Sequence, residues 1–93
     1  MSSKPRISIR YCPRCNWLLR SAWLAQELLT TFSQDLSEVA LQPAEKGGTF
    51  EITLGNKIIW DRNQEGGFPE AKVLKQRVRD CVAPDRALGH IDR

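Results

Sequence analysis

The sequence predicts an α/β protein, a two-layer sandwich of a four-stranded mixed sheet with two helices on one face, in the order β-α-β-β-β-α. Three observations support this. Apolar residues alternate at Ile7, Ile9, Tyr11 and again at Phe50, Ile52, Leu54, the period of a half-buried strand. Leu18, Ala22, Ala25, Leu29, Phe32 and then Ala71, Leu74, Val78, Cys81 recur at helical spacing. Gly47-Gly48, Gly55-Asn56 and Gly66-Gly67 punctuate the later elements. The 93 residues leave room for one hydrophobic core. Residues 1–83 therefore read as a single domain, and 84–93 as a loose C-terminal tail with little to bury.

Arg6, Ser8 and Arg10 occupy the other face of the first strand, so the sheet is expected to be covered on one side only. The strand ends at Tyr11. Pro13 suits the first position of a helix, where a missing N–H is no loss, and a long helix is expected from about Arg14 to Ser33. Trp23 falls on its polar side, near Arg20 and Glu27 and one turn from Leu19. A lone surface apolar lying over its neighbours is the preferred reading, ahead of a docking patch. Val39 and Leu41 mark a second strand over Ser37–Pro43, which Pro43 ends. The first βαβ unit should then be a right-handed crossover between parallel strands.

Phe50–Leu54 and Lys57–Trp60 form a hairpin about Gly55-Asn56. Its register is open at this point. A two-residue loop places Ile59 on the face of Phe50, Ile52 and Leu54; a longer loop or a bulge places Ile58 and Trp60 there, which the apolar pattern favours. Asp61–Phe68 reads as a loop, Pro69-Glu70 opens the second helix, and Ala83-Pro84 stops it. Cys81 continues that helix's apolar stripe as a small buried residue, with Lys72, Lys75, Arg77 and Arg79 on other faces. This order is that of a small thioredoxin-like sandwich.

The chemistry concentrates in Tyr11-Cys12-Pro13-Arg14-Cys15, at the turn from strand to helix. Disulfide exchange needs an exposed thiolate, a second thiol within reach, and something that lowers a pKa. Cys12 and Cys15 have the spacing. A helix N-terminus supplies partial positive charge, and Arg14, with Arg10 and Arg20 nearby, would tune the thiolate. Residues 1–26 carry five basic side chains and no acidic one, whereas the rest carry 9 basic and 11 acidic groups. One cysteine of the pair is expected to titrate below the free value of about 8.5.

Other function classes are weighed against this. Three cysteines are too few and too uneven for a disulfide framework. No apolar run approaches the roughly 18 residues of a membrane span, and no apolar signal segment precedes the first strand; the expected address is the cytoplasm, with no membrane partner. The net charge of +3 comes without a Lys/Arg run or an RNA-binding motif, so no nucleic-acid partner is expected. Zinc needs four ligands, and beyond the pair the chain offers only Cys81 and His90. Zinc binding is thus a third reading, with no metal expected. A redox-sensitive protein-binding module without turnover is the second, its docking surface formed by Trp17, Trp23, Gly48 and Phe68.

The chain resembles the selenoprotein W/T/H group, or Rdx family. The resemblance rests on Tyr-Cys-Pro-Arg-Cys between a strand and a Trp/Leu/Ala-rich helix, on Gly-Gly-Thr-Phe-Glu-Ile, on Ile-Ile-Trp, and on Gly-Gly-Phe-Pro-Glu before the last helix. It runs from about Arg6 to Val82. It implies a thioredoxin-like fold and thiol-based redox chemistry, often linked to glutathione or thioredoxin. Separately, no bound cofactor is expected beyond glutathione as a co-substrate, and the expected partners are thiol proteins or glutathione for a monomer or weak dimer. Selenium-containing members carry selenocysteine at the position of Cys15. Helix-end electrostatics would make Cys12 the attacking sulfur; the resemblance favours Cys15, which is preferred. No proline directly precedes Phe50, so Gly47-Gly48-Thr49 stands where thioredoxins place a cis-proline opposite the disulfide.

Overall fold

The computed structural model describes residues 4–88. The alternation of Ile7, Ile9 and Tyr11 with polar residues forms β1 (Arg6–Tyr11), with its apolar side chains buried. Helix α1 (Leu18–Thr31) carries the chain back, and β2 (Glu38–Pro43) lies parallel to β1 in register from Arg6 opposite Glu38 to Tyr11 opposite Pro43. On the other side of β1, β3 (Phe50–Leu54) runs antiparallel, followed by antiparallel β4 (Lys57–Asp61), giving the order β2-β1-β3-β4. A one-turn helix α2 (Arg62–Glu65) and the longer α3 (Ala71–Val82) complete a thioredoxin-like α/β fold. There are three helices among the described residues, not the two expected. Asp61 caps α2 by accepting from the Asn63 N–H at 3.0 Å, and Gly66, at φ 81°, closes it. A single turn is too short to leave a periodic trace in sequence.

The core lies on the apolar face of the sheet. Ile7, Ile9, Phe50 and Ile52 of the two central strands meet Leu24, Leu28 and Phe32 from α1 and its end, with Leu74 and Val78 of α3. The hairpin keeps the short Gly55-Asn56 loop, pairing Leu54 with Lys57, and takes a bulge between Ile52 and Thr53. The bulge brings Trp60 opposite Ile52, so Ile59 and Trp60 are both buried. Ile58 is exposed, contrary to the expectation that it would share the core face. Indole Nε1 of Trp60 donates to the Gly67 carbonyl at 3.0 Å, which satisfies the polar end of the buried ring.

Both long helices are rotated from their expected phase. In α1 the buried stripe is Ser21, Leu24, Ala25, Leu28 and Thr31, leaving Leu18 and Leu29 partly exposed. At 3.6 residues per turn, that stripe is centred roughly 80° from the expected one. Ser21 can be buried because its hydroxyl donates to the Trp17 carbonyl at 2.8 Å. In α3, Val82 replaces Cys81 on the inner side; Cys81 is an exposed free thiol, 3.9 Å from the Lys57 ammonium. Lys75, expected on an outer face, is buried instead. Its ammonium pairs with Glu27 of α1 at 2.9 Å.

That pair carries an asymmetric prediction. Glu27→Gln leaves a buried ammonium without its counter-charge and is expected to cost about 1–3 kcal/mol, given the partial exposure of Glu27. Lys75→Met removes the buried charge and should cost less than about 1 kcal/mol in the same urea titration. Equal losses from the two substitutions would contradict this account.

α2 is tied to α3 by Arg77, which donates to Glu65 at 2.7 and 3.1 Å, donates to the Ile59 carbonyl, and stacks over Trp60. The hydrogen bonds from Arg77 hold the Glu65 carboxyl below its ordinary value of 4.5. The segment after α3 also departs from expectation over residues 84–88. Arg86 pairs with Asp35 at 2.9 Å and lies over Phe32, and Leu88 is buried in the core. The remainder of the expected tail, including His90, lies outside the described residues.

Candidate functional site

The site is built where β1 runs out. The Tyr11 carbonyl is still held in strand fashion, accepting from Ala44 N–H at 2.8 Å, and Cys12 remains extended. Pro13 then opens a single 3-10 turn, Pro13–Cys15, instead of the long helix itself. Asn16 takes the left-handed conformation, φ 62° and ψ 35°, which asparagine tolerates better than most residues. It separates the turn from α1, which starts at Leu18. Asn16 was the sequence signal for this break. Because a helix macrodipole fades within about one turn, the electrostatic case for Cys12 is weaker than expected.

Cys12 and Cys15 are joined as a disulfide, with Cα atoms 5.4 Å apart. The two sulfurs differ in access. Cys12 is 0% exposed, whereas Cys15 is partly exposed at the surface. Beside the turn lies an aromatic cluster. The Trp17 ring meets the Phe68 ring edge to face at 4.9 Å, and Phe68 in turn meets buried Phe50 at 4.9 Å. The Arg20 guanidinium lies 4.2 Å from the Phe68 centroid, and that of Arg62 lies 4.9 Å from Trp17 and 5.2 Å from Phe68. Stacked guanidinium groups keep N–H donors at their edges while the ring shields one face. Arg62 was missed in the sequence because it belongs to α2, which reads as a loop.

The Rdx family model matches residues 6–80, most of the chain. The chain belongs to the Rdx family. This Rdx chain is also similar to two solved structures. One is a selenoprotein W-related protein from Vibrio cholerae, 63% identical, with a TM-score of 0.82, covering 85% of this chain and 98% of that one. The other is a protein from Bordetella parapertussis, 62% identical, also with a TM-score of 0.82, covering 85% of this chain and 99% of that one. No curated protein matches the chain. Family membership and the paired cysteines fit a redox role.

The residues expected around the Rdx cysteines are only partly brought together. Trp17 and Phe68 meet beside the turn. Arg14 follows Cys12 by two residues, but its guanidinium donates to the Glu45 carbonyl at 2.8 Å and passes 3.8 Å from the position a Cβ on Gly47 would take. Arg20 is committed to Phe68. Arg10 points away from the core on the open face of β1, where it lines a groove of about 630 Å³ with Lys46, Gly48, Glu51 and Asp61. Gly48 takes φ 77°, a value that favours glycine, in the loop before β3. Trp23 stands apart from the aromatic cluster, exposed on α1.

Neither Cys81 nor any other described residue completes a metal cluster: no group of three or more His, Cys, Asp or Glu side chains is suitably placed among the described residues. His90, the other ligand considered, lies outside them. Among the described residues no helix is long and apolar enough to cross a membrane.

Proposed function

We propose that this Rdx protein is a cytoplasmic thiol–disulfide redox protein in which Cys15 attacks and Cys12 resolves. The observation that supports it is the difference in access: Cys12 is 0% exposed and Cys15 is not. An attacking sulfur must be reached by the substrate, while a resolving sulfur needs only to reach its neighbour. The position that selenocysteine takes in related chains points to the same sulfur.

The reaction balances as follows. The Cys15 thiolate attacks one sulfur of a substrate disulfide; a mixed disulfide forms, the substrate S–S bond breaks, and the leaving thiolate takes a proton. The Cys12 thiolate then attacks the Cys15 sulfur, releasing the second substrate thiol and closing the Cys12–Cys15 disulfide. Two electrons have passed to the substrate. Two equivalents of glutathione, or one dithiol of thioredoxin type, return the protein to its reduced form. The absence of any carboxylate among residues 1–26 favours the anionic thiolate and an anionic thiol partner.

A redox titration of the Cys12–Cys15 couple, read by mass in the presence of glutathione, tests this. Oxidation should close the disulfide, and the glutathione adduct should be found on Cys15. An adduct at Cys12, or a couple that never forms a disulfide, would sink the assignment.

A further inference from the structure

The outer face of α1 is more apolar than a soluble helix needs. Leu19 is 85% exposed, Trp23 51%, Leu18 48% and Leu29 43%. Leu19 and Trp23 are one turn apart on the side of the helix opposite its buried stripe. Leu18 lies beside Leu19, whereas Leu29, about 120° round the helix from Trp23 and beyond the exposed Gln26, stands apart from them. Singly exposed apolars need no explanation, but the neighbouring Leu18, Leu19 and Trp23 together mark an interaction surface.

Its position and charge narrow the occupant. The surface begins at Leu18, three residues after the accessible Cys15 and one after Trp17, which lies beside the turn. The charges nearest it in sequence are mostly positive. Residues 1–26 contain no carboxylate, and the only carboxylate on α1, that of Glu27 one turn after Trp23, is neutralised by Lys75 at 2.9 Å. Arg14 and Arg20 are exposed at the end nearest Cys15.

We propose that this face docks the protein whose disulfide is exchanged, and that the partner presents an apolar segment flanked by carboxylates. The proposal rests on the redox reading above and adds the partner's chemistry to it. Leu19 and Trp23 anchor the apolar residues of the client. Arg20, which keeps its edge N–H donors while one face lies on Phe68, and the positive charge of Arg14 attract its carboxylates. Docking along α1 presents the client disulfide to Cys15. A desolvated tryptophan anchor has the character of an interface hot spot, and the charge complementarity acts mainly on the rate of encounter.

The test uses synthetic peptides with a Leu/Phe segment and one disulfide, flanked by Asp and Glu in one version and by Lys in the other. Hydroxyethyl disulfide serves as a substrate too small to dock. The acidic peptide should be reduced at least about tenfold faster than the basic one at low salt, with the gap closing as salt rises. Leu19→Ser with Trp23→Ala should weaken reduction of the acidic peptide roughly tenfold or more and leave hydroxyethyl disulfide unchanged. Equal loss on both substrates, or no preference for acidic flanks, overturns the proposal.

Binding of the fluorescently labelled acidic peptide with serines in place of its cysteines, read by anisotropy, separates docking from chemistry. If neither disulfide is reduced but this peptide binds, the redox reading fails and the docking face stands. If the small disulfide is reduced and the peptide does not bind, the docking face fails alone. Concentration-dependent self-association that the double substitution removes would assign the face to a second copy of the chain and overturn the proposal.

Discussion

Cys15→Ser is expected to lower the rate of disulfide exchange by roughly a thousandfold or more, because a serine hydroxyl at neutral pH does not replace a thiolate nucleophile. Cys12 should behave differently. Without the resolving sulfur, Cys15 can still attack, so the protein should accumulate as a mixed disulfide with glutathione or substrate, visible by mass. Cys12→Ala is the better variant here. Serine at this fully buried position places a hydroxyl in apolar surroundings, at a cost of about 1–3 kcal/mol if it finds no partner. The measurement is turnover of hydroxyethyl disulfide with glutathione as reductant, with the adducts mapped after quenching. A Cys15→Ser protein that kept its rate while Cys12→Ala lost it would reverse the two roles.

Phe50→Ala is expected to be the most destabilising single change in the described core, at about 3–5 kcal/mol. Phe50 is almost fully buried at the start of β3, opposite Tyr11 in the ladder and against Phe68. Removing the ring leaves a cavity between two rigid strands and the loop that holds the aromatic cluster. In a domain of this size each kcal/mol shifts Tm by roughly 4–8 °C, so a drop of about 12–40 °C should appear in thermal melts followed by circular dichroism. The change also reaches the redox turn. Phe68 loses its inner partner, and Trp17, Arg20 and Arg62 all contact Phe68 or its neighbour. Faster amide exchange at Trp17 is expected even well below the melt. Phe68→Ala, at a partly exposed position, should destabilise less. If Phe50→Ala melted within about 5 °C of the parent, the coupling of core to site described above would be wrong.

Alternation, helical spacing and the spacing of the two cysteines were sufficient to predict the element order apart from the one-turn α2, the parallel βαβ unit, the single covered face of the sheet and the position of the cysteine turn. These are local or period-based features: strand alternation, a Cys-x-x-Cys step and glycine turns act within a few residues. The family segments near Thr49–Ile52 and Phe68–Glu70 were legible for the same reason. The helix phases were not. An α1 with apolar side chains around most of its circumference offers two candidate faces. The choice depended on Ser21 satisfying its own hydroxyl through Trp17 and on Glu27 meeting Lys75 across the two helices. The same dependence on partners distant in sequence buried Lys75 and Leu88 and exposed Cys81.

At the cysteine turn, the sequence by itself determined that two thiols stand in reach of each other within a 26-residue segment without carboxylates. Which sulfur faces solvent is a tertiary property. Tyr11 carries the chain into the core at Cys12, and the 3-10 turn closed by left-handed Asn16 brings Cys15 back out before α1 begins. No periodicity encodes that exit, because it depends on how the end of β1 packs beneath the helices. Access therefore distinguishes the two sulfurs, where spacing alone treated them alike.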